Sequence, residues 1–219
     1  MNFRASKVAV LGAALLMSSS AGADNSFWVG GKVGTLGLGL EGIWRPIKWL
    51  DLRLGGSRYD YRDSGGLAGI NYDATLRLSS YYATANLRFP LSPFRISAGM
   101  YSNQNGVELI SLDSSAYRIG DTVFTAADVG TIRSETSFNS TSPYLGAGFD
   151  FSLVGKVGMN LDFGVLWQGD PKVSLTTDGL LANDPTFLAQ LEAERAELED
   201  EVSPLKAYPV VSLGFNFSF

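Results

Sequence analysis

The sequence predicts an all-β fold: a closed, antiparallel, up-and-down transmembrane β-barrel of about eight strands, with a short helix in its last extracellular loop. Three observations support this fold. The chain begins with a pattern typical of a cleavable leader, and segments of about ten residues alternate apolar and polar side chains. The final strand keeps this alternation up to a terminal phenylalanine. Together these features are typical of a secreted chain that crosses a membrane with strands.

The leader occupies residues 1–23. Arg4 and Lys7 supply a positive start, and residues 8–17 form an apolar run that is too short to span a bilayer as a helix. The small residues 21–23 (Ala-Gly-Ala) predict cleavage before Asp24, with cleavage after Ala21 as a variant. We therefore expect a signal peptide at 1–23, a barrel domain at 24–219 and delivery to the cell outer membrane. A buried N-terminal helix is the alternative interpretation.

Composition limits the chemistry that the mature chain can perform. Without the leader, 15 of the 17 Lys and Arg side chains stand against all 22 Asp and Glu, and this acidic balance argues against nucleic-acid binding. The chain has no cysteine, so neither disulfides nor thiolate metal sites are expected. It has no histidine either, which argues against base catalysis near neutral pH and so against an enzyme. We predict no catalytic residue, no metal site and no cofactor.

The strand pattern is clearest in residues 157–168 (VGMNLDFGVLWQ). One face holds Val157, Met159, Leu161, Phe163, Val165 and Trp167, and the other holds Gly158, Asn160, Asp162, Gly164 and Gln168. The same alternation assigns to the apolar face Leu36, Leu38, Leu40, Trp44, Leu50, Leu52, Leu54, Ala83, Ala85, Leu87, Phe89, Phe94, Ile96, Ala98, Met100, Leu145, Ala147, Phe149 and Phe151.

The kind of residue on each face indicates a membrane rather than water outside the barrel. Glycines are dense on the polar face, as a narrow lumen requires, while the apolar face carries the bulky side chains. Aromatic residues lie near strand ends, where they predict a girdle at a membrane interface. This girdle comprises Trp44, Trp49, Phe89, Phe94, Phe151, Phe217 and Phe219.

Turn lengths predict the topology. Residues 46–48, 91–93 and 153–156 are short turns, whereas 64–69, 113–133 and 176–205 are long loops. Outer-membrane barrels keep short turns in the periplasm and long loops outside. An even strand number requires residues 27–42 to split into two strands near Gly34 and Thr35. In residues 70–89 the alternation shifts parity near 79–81, which predicts a bulge or a crossing of the barrel rim.

The last strand, residues 211–219, ends in Phe217, Ser218 and Phe219. This ending resembles the signal read by the outer-membrane assembly machinery, so we expect Phe217 and Phe219 to act as an assembly signal. The expected partners are therefore that machinery during biogenesis, and afterwards outer-membrane lipid and lipopolysaccharide.

Four stretches resemble the CarO-type outer-membrane proteins: residues 32–46 (KVGTLGLGLEGIWRP), 142–151 (SPYLGAGFDF), 168–175 (QGDPKVSL) and the 209–217 ending. The resemblance extends over most of the mature chain, including an acidic helical loop before the final strand. It implies an eight-stranded barrel of a family associated with uptake of ornithine and other basic amino acids and with carbapenem susceptibility. No substrate signature can be matched residue by residue.

Charged residues on the polar face form the first candidate site. Four acids and four arginines are expected to face the lumen: Glu41, Asp51, Asp150, Asp162, Arg45, Arg53, Arg88 and Arg95. One interpretation is a buried, balanced ion-pair network that fills a lumen with room for little else. The other is a gated or narrow path for small solutes.

The loop at 176–205 is the second candidate site. Asp184 and Pro185 predict the N-cap and first residue of a helix that runs to Val202. Phe187, Leu188, Leu191, Leu198 and Val202 are expected on one face. Its acids are Glu192, Glu194, Glu197, Glu199, Asp200 and Glu201, together with Asp178 and Asp184, and Arg195 opposes them.

This acidic loop also has two interpretations. It is either a solvated helix on the barrel rim or a lid that concentrates small cationic solutes or divalent ions shared with lipopolysaccharide phosphates. For the whole protein, the sequence favours a minor channel for small cationic solutes such as basic amino acids. The alternative is a non-conducting structural or surface-interaction barrel that binds lipopolysaccharide or an extracellular partner.

Overall fold

The structure, a computed structural model, describes residues 26–67, 70–112, 116–119, 122–153 and 156–218. The expected signal peptide and Phe219 lie outside these residues. The described chain forms two α-helices, α1 (Ala126–Val129) and α2 (Pro185–Val202), and a 3₁₀ turn at Ser203–Lys206. Its thirteen strands are β1 (Ser26–Gly34), β2 (Gly37–Ile47), β3 (Leu50–Leu67), β4 (Ile70–Arg88), β5 (Phe94–Asn103), β6 (Gly106–Ser111), β7 (Ala116–Ile119), β8 (Thr122–Thr125), β9 (Arg133–Ser137), β10 (Thr141–Ser152), β11 (Val157–Trp167), β12 (Lys172–Thr176) and β13 (Ala207–Ser218).

Eight of the described strands form a closed antiparallel barrel in the order β1-β2-β3-β4-β5-β10-β11-β13. The ring closes where β1 pairs with β13, with Val29 opposite Phe217, while β1 also pairs with β2. Each strand thus has two neighbours, and the backbone N–H and C=O groups bond within the sheet, as a strand-built membrane protein requires. The predicted barrel is confirmed, and so is the split near Gly34 and Thr35, since β1 ends at Gly34 and β2 begins at Gly37.

The two faces of the barrel wall carry the residues that the alternation predicts. Leu38, Leu40 and Leu54 point outward and are mostly exposed, whereas Asp51 and Arg53 point inward and are buried. A soluble barrel would have the opposite distribution, because its apolar side chains fill the interior. The outward apolar surface therefore fits contact with lipid.

On the side of the long loops, part of the β-sheet continues beyond the rim of the barrel. Strands β3 and β4 are 18 and 19 residues long, about twice the length of the 9-residue β1. Their upper parts are extended by β6, β9 and β12, in the order β3-β4-β6-β9-β12. We call this five-stranded extension the wall, and the two ends of the barrel the long-loop end and the short-turn end.

The parity shift expected near residues 79–81 is a rim crossing and not a bulge. Pairing of β3 with β4 keeps one register from Leu50 opposite Leu87 to Leu67 opposite Ile70. Even-numbered side chains of β4 face inward throughout, but they change from polar residues in the lumen, such as Asn86, to the buried Leu78 and to Tyr72, which packs against an apolar cluster. The apolar parity therefore inverts although the strand remains regular.

A second apolar core lies outside the membrane-spanning barrel. Helix α2, helix α1 and the β7–β8 hairpin cover the inner face of the wall, and together with the wall they form what we call the long-loop domain. Its core comprises Tyr117, Ile119, Val129, Phe187 and Leu191. Phe124 and Phe187 meet edge to face, with ring centroids 5.2 Å apart. Among the described residues, no helix has the length and apolar character that crossing a membrane requires.

Two predicted loops differ from the structure. The loop at 64–69 is shorter than expected, because β3 continues to Leu67 and β4 begins at Ile70. Polar and glycine residues can extend a hairpin through backbone bonds without an apolar pattern, and Ser64 also donates a hydrogen bond to Asp73 at 2.6 Å. The loop at 113–133 contains, in its described part, β7, β8 and α1. Four-residue elements are too short to show a period.

Helix α2 has the predicted bounds and the predicted cap. The Asp184 carboxylate accepts the backbone N–H groups of Thr186 and Phe187, each at 2.9 Å. The predicted apolar face is wrong at Leu188, which is 44% exposed. Phe187 and Leu191 are four residues apart and carry the contact with the core, and Leu188 lies about 80° around the helix from the middle of the face that these two residues define.

We expect Asp184→Ala to destabilise the long-loop domain by about 1 kcal/mol, because two helix N–H groups lose their acceptor. Amide hydrogen exchange should quicken across Thr186–Leu191 while the barrel strands stay protected. Asp184→Asn, which keeps an acceptor oxygen, is the matched control. Equal loss of protection in the barrel strands would contradict the view that the two cores are separate.

Candidate functional site

Arg53 lies at the centre of the lumen and is almost fully buried. Its Nε is 3.2 Å from Asp51 Oδ1, and its Nη2 is 3.1 Å from Asp150 Oδ1. A third carboxylate, that of Glu41, lies 3.7 Å from Nη1. Strands β2, β3 and β10 therefore supply three acids to one guanidinium, whose planar fork suits several oxygens at once.

Arg95, on β5, occupies the neighbouring position and is also buried. Its Nε is 3.1 Å from the same Asp150 Oδ1, and its Nη2 donates to Asp162. Its Nη1 donates to Asn86 Oδ1 at 3.1 Å and to Ser97 Oγ at 2.7 Å. Asp150 therefore joins the two buried arginines across the lumen.

The two remaining arginines lie nearer the short-turn end. Arg88 Nε is 3.8 Å from Asp150 Oδ2, and Arg45 Nε is 3.9 Å from Asp51 Oδ2. Their side chains stay 24% and 17% exposed, so water reaches them. The structure thus brings all eight predicted lumen residues into one chain of contacts, with two deep arginines and two at the mouth.

The network also includes Lys32, a lumen residue that was not predicted. Lys32, on β1, lies 4.0 Å from Glu41 Oε2, and its Nζ is 3.9 Å from the centre of the Tyr82 ring. Glu41 also accepts hydrogen bonds from Tyr82 at 2.9 Å and from Asn160 at 2.8 Å. The alternation in β1, where Lys32 lies between Val33 and two glycines, is the signal that could have identified it.

An apolar layer closes the lumen on the side of the long loops. It is made of Leu36, Tyr82, Tyr101, Tyr144, Leu166 and Val210. The rings of Tyr82 and Tyr101 stack at 4.9 Å, and Tyr144 lies 5.2 Å from Tyr101. Glycines make room for these rings: a Cβ at Gly164 would lie 2.5 Å from the Tyr144 ring. We call these six residues the tyrosine layer.

Leu36 corrects one prediction, since the alternation assigned it to the outward face. It lies in the turn between β1 and β2 and is buried against the tyrosine layer. Strand alternation does not extend through a tight turn, so the parity of β2 does not apply to it.

Little space remains inside the described part of the lumen. A cavity of about 20 Å³ lies among Lys32, Arg53, Asp162 and the tyrosine layer. A volume of about 10–15 Å³ holds one water molecule, so this cavity has room for about one. The arrangement is a filled interior rather than an open pore.

Buried amides connect the barrel rim to the long-loop domain. Asn103 Nδ2 donates to Gln168 Oε1 at 3.1 Å, and Gln168 Nε2 donates to the Leu205 carbonyl at 2.9 Å. Asn105 Oδ1 accepts the backbone N–H of Ser79 at 3.0 Å. These contacts satisfy backbone groups where strands pass from barrel to wall, and they fix the 3₁₀ turn after α2 to the rim.

The carboxylates of the acidic loop differ in their contacts and in their exposure to solvent. Arg195 pairs with Glu192 and Glu199, each at 2.6 Å. Glu199 also accepts the backbone N–H of Val173 at 3.0 Å, which attaches α2 to β12. Glu194 is partly buried, whereas Glu197, Asp200 and Glu201 are exposed. The last three face solvent at the long-loop end.

Two pKa shifts in the long-loop domain follow from these contacts. The hydrogen bond from Val173 and then the bond from Arg195 hold the pKa of Glu199 below its ordinary value of 4.5. Burial raises the pKa of Tyr72, and the nearby Tyr117 and Glu194 raise it further. Glu199 is thus a structural carboxylate, unlike the three exposed acids.

The expected assembly signal is described at one of its two residues. Phe217 points outward near the end of β13, between Val29 of β1 and Val157 of β11. It is half exposed at the short-turn end, where the aromatic girdle was predicted.

Two solved structures share this architecture. CarO2 from Acinetobacter baumannii is 23% identical with a TM-score of 0.61, covering 89% of this chain and 98% of that chain. CarO from the same organism is 24% identical with a TM-score of 0.59, covering 88% and 97%. No protein-family model matches the chain, and no curated protein is significantly similar to it. The chain therefore has the CarO-type barrel fold, as its motifs predicted.

We expect Arg95→Ala to destabilise the barrel by about 3–5 kcal/mol, because it leaves Asp162 buried without its arginine. Arg88→Ala should have a smaller effect, since Arg88 is partly solvated. Arg133→Ala, on the exposed face of the wall, is the control and should change stability by less than about 1 kcal/mol. Urea unfolding of the lipid-reconstituted protein, followed by tryptophan fluorescence, measures all three. Equal effects of Arg95→Ala and Arg133→Ala would contradict a buried network.

The lowered pKa of Glu199 predicts a pH dependence in the contact between α2 and β12. A carboxylate whose pKa is lower in the folded than in the unfolded state stabilises the fold at pH values above the unfolded-state pKa. This stabilisation is lost as the pH falls through the folded-state pKa. Protection of the Val173 amide from exchange should therefore fall below pH 4.5. Glu199→Gln should show weaker protection at neutral pH and no such fall. The same fall in both proteins would assign the effect to another group.

Proposed function

We propose that the protein is a small outer-membrane barrel whose lumen is closed at rest, and that it acts through the long-loop domain outside the cell. The observation that carries this proposal is the filled interior, where paired arginines and the tyrosine layer leave a cavity of about 20 Å³. An amino acid is many times larger than one water molecule, so it does not fit this space.

The orientation follows from the lengths of the turns. Outer-membrane barrels keep short turns in the periplasm, which assigns the short-turn end to that side. The wall, α2 and the acidic loop then face outward from the cell. We also propose that the chain reaches this membrane through cleavage of residues 1–23 and recognition of Phe217 and Phe219 by the assembly machinery.

Lipopolysaccharide is the partner that the outer face of the wall supports best. Arg58 lies four residues beyond the lipid-facing Leu54 on the same face of β3, and it is well exposed. Acids also lie on this face, where Asp60 pairs with Arg58 at 2.9 Å and Glu108 pairs with Arg77 at 2.8 Å. Further cations follow on it at Arg62, Arg77, Arg133 and Lys172. Such residues would lie at the level of the lipopolysaccharide phosphates, which suit arginine's paired donors.

Passage of small cationic solutes is the second candidate. A chain of charged residues extends from Arg88 at the mouth through Asp150 to Glu41, and one apolar layer separates it from the long-loop end. Movement of that layer would open a polar path. The three exposed acids of α2 would then raise the local concentration of cations such as ornithine.

Liposome uptake distinguishes these two functions. We expect the reconstituted mature protein to show no bilayer conductance and no ornithine uptake above protein-free liposomes. A Tyr82→Ala, Tyr101→Ala double variant removes two of the three aromatic rings of the tyrosine layer and should conduct, which shows that the assay detects an open lumen.

The acidic helix supplies the second comparison. Glu197→Gln, Asp200→Asn and Glu201→Gln together remove three exposed charges but leave the contact of Glu199 with Val173 and the pair of Glu192 with Arg195. If the unmodified protein takes up ornithine and the triple variant takes up less at low salt, the closed-barrel proposal is refuted and the channel is supported.

A further inference from the structure

A large open pocket lies at the short-turn end, below the lumen network. Its volume is about 790 Å³, and its walls are the turn from β2 to β3, the turn from β4 to β5 and the end of β10. We call it the vestibule. Its lining includes Lys48, Trp49, Arg88, Phe89, Leu91 and Phe151. Its size falls in the range of pockets that hold small ligands, about 300–1,000 Å³.

The vestibule has an excess of positive charge. Its one lining acid, among the described residues, is Asp150, and Arg53 and Arg95 already bind that carboxylate at 3.1 Å each. Arg88 is farther away, at 3.8 Å, and its side chain is partly solvated. Lys48 is exposed in the facing turn. Lys48 and Arg88 therefore face the pocket, and the charge of Asp150 is already balanced by Arg53 and Arg95 inside the lumen.

The outer rim of the vestibule is apolar and aromatic. Trp49, Phe89 and Phe151 are each about half exposed. Phe89 continues into the outward aromatic band through Phe94, with ring centroids 5.5 Å apart. Tryptophan and phenylalanine at this level are typical of the boundary between lipid and water.

Leu91, in the turn from β4 to β5, has an unusual backbone conformation. It is fully exposed, and its φ of 61° makes it the one described non-glycine residue in the left-handed region. A leucine rarely adopts that conformation, and such backbone strain is found most often at functional sites. Here the strained turn holds an apolar side chain outward beside the two cations.

We infer that the vestibule binds the phosphate of a phospholipid from the periplasmic leaflet. Lys48 and Arg88 donate to the phosphate oxygens, and the acyl chains lie along Phe89, Phe151 and Leu91. The continuous aromatic surface favours a lipid over free phosphate, which would need only the cations. The inference uses the orientation proposed above, but it does not depend on whether the lumen conducts.

The test uses the mature protein in nanodiscs of phosphatidylethanolamine and phosphatidylglycerol, with retained lipid counted by native mass spectrometry. Lys48→Gln should lower retention about tenfold, as expected for losing one charge-assisted hydrogen bond to phosphate. Lys156→Gln removes the same charge from another turn at this end and should leave retention unchanged. Trp49→Ala, which does not touch the lumen network, should also lower retention. Heat-modifiable migration checks that each variant is folded.

Two results would overturn the inference. Equal retention in Lys48→Gln and Lys156→Gln would mean that the vestibule is not a lipid site. Displacement of the lipid by inorganic phosphate, with retention unaffected by Trp49→Ala, would assign the site to a soluble phosphate. If instead the barrel conducts ornithine while Lys48→Gln loses lipid, the closed-lumen proposal fails and this one stands.

Discussion

Asp150 accepts from both of the deeply buried arginines, and the interior of the barrel is organised around that shared carboxylate. A guanidinium inside a closed barrel is costly unless its donors are bonded, so Arg53 and Arg95 each recruit a further acid, Asp51 and Asp162. These contacts connect β3, β5 and β10, of which β3 is not a sheet neighbour of the other two. The same interaction therefore fills the lumen and connects strands that are not neighbours in the sheet.

The two ends of the lumen differ because this network occupies its middle. Toward the long loops, Glu41 is held by Tyr82 and Asn160, and the tyrosine layer lies above it. Toward the short turns, Arg88 lies at the limit of ion-pair distance and remains partly solvated. On one side of the network around Asp150 the lumen is therefore closed by the tyrosine layer, and on the other side Arg88 remains partly solvated.

The sequence predicted the barrel well because a lipid-facing strand obeys one rule at every second residue. It also predicted α2, whose Asp184 cap and Pro185 are local signals. Prediction failed where a residue's surroundings change along the chain. Leu36 lies in a turn, Leu188 depends on which edge of a helix docks, and β4 keeps its geometry while its inner face passes from lumen to apolar core. Which of the eight lumen charges are deep and which are solvated depends on strand register, and alternation alone does not contain that information.

The charge distribution bears on the choice between channel and closed barrel. Helix α2 places exposed acids at the long-loop end, whereas Lys48 and Arg88 line the vestibule at the other. A cation drawn to the first end would meet paired arginines in the middle and an excess of positive charge at the exit. Exposed charges act over only about 10 Å at 0.1 M salt, so the two ends do not cancel each other. A conduit for cations would need acids, or at least neutrality, along its whole length. Opposite charge at the two ends fits two separate surfaces better than one conduit: the exposed acids of α2 at the long-loop end, and at the short-turn end the vestibule that we propose binds phospholipid, with a filled lumen between them.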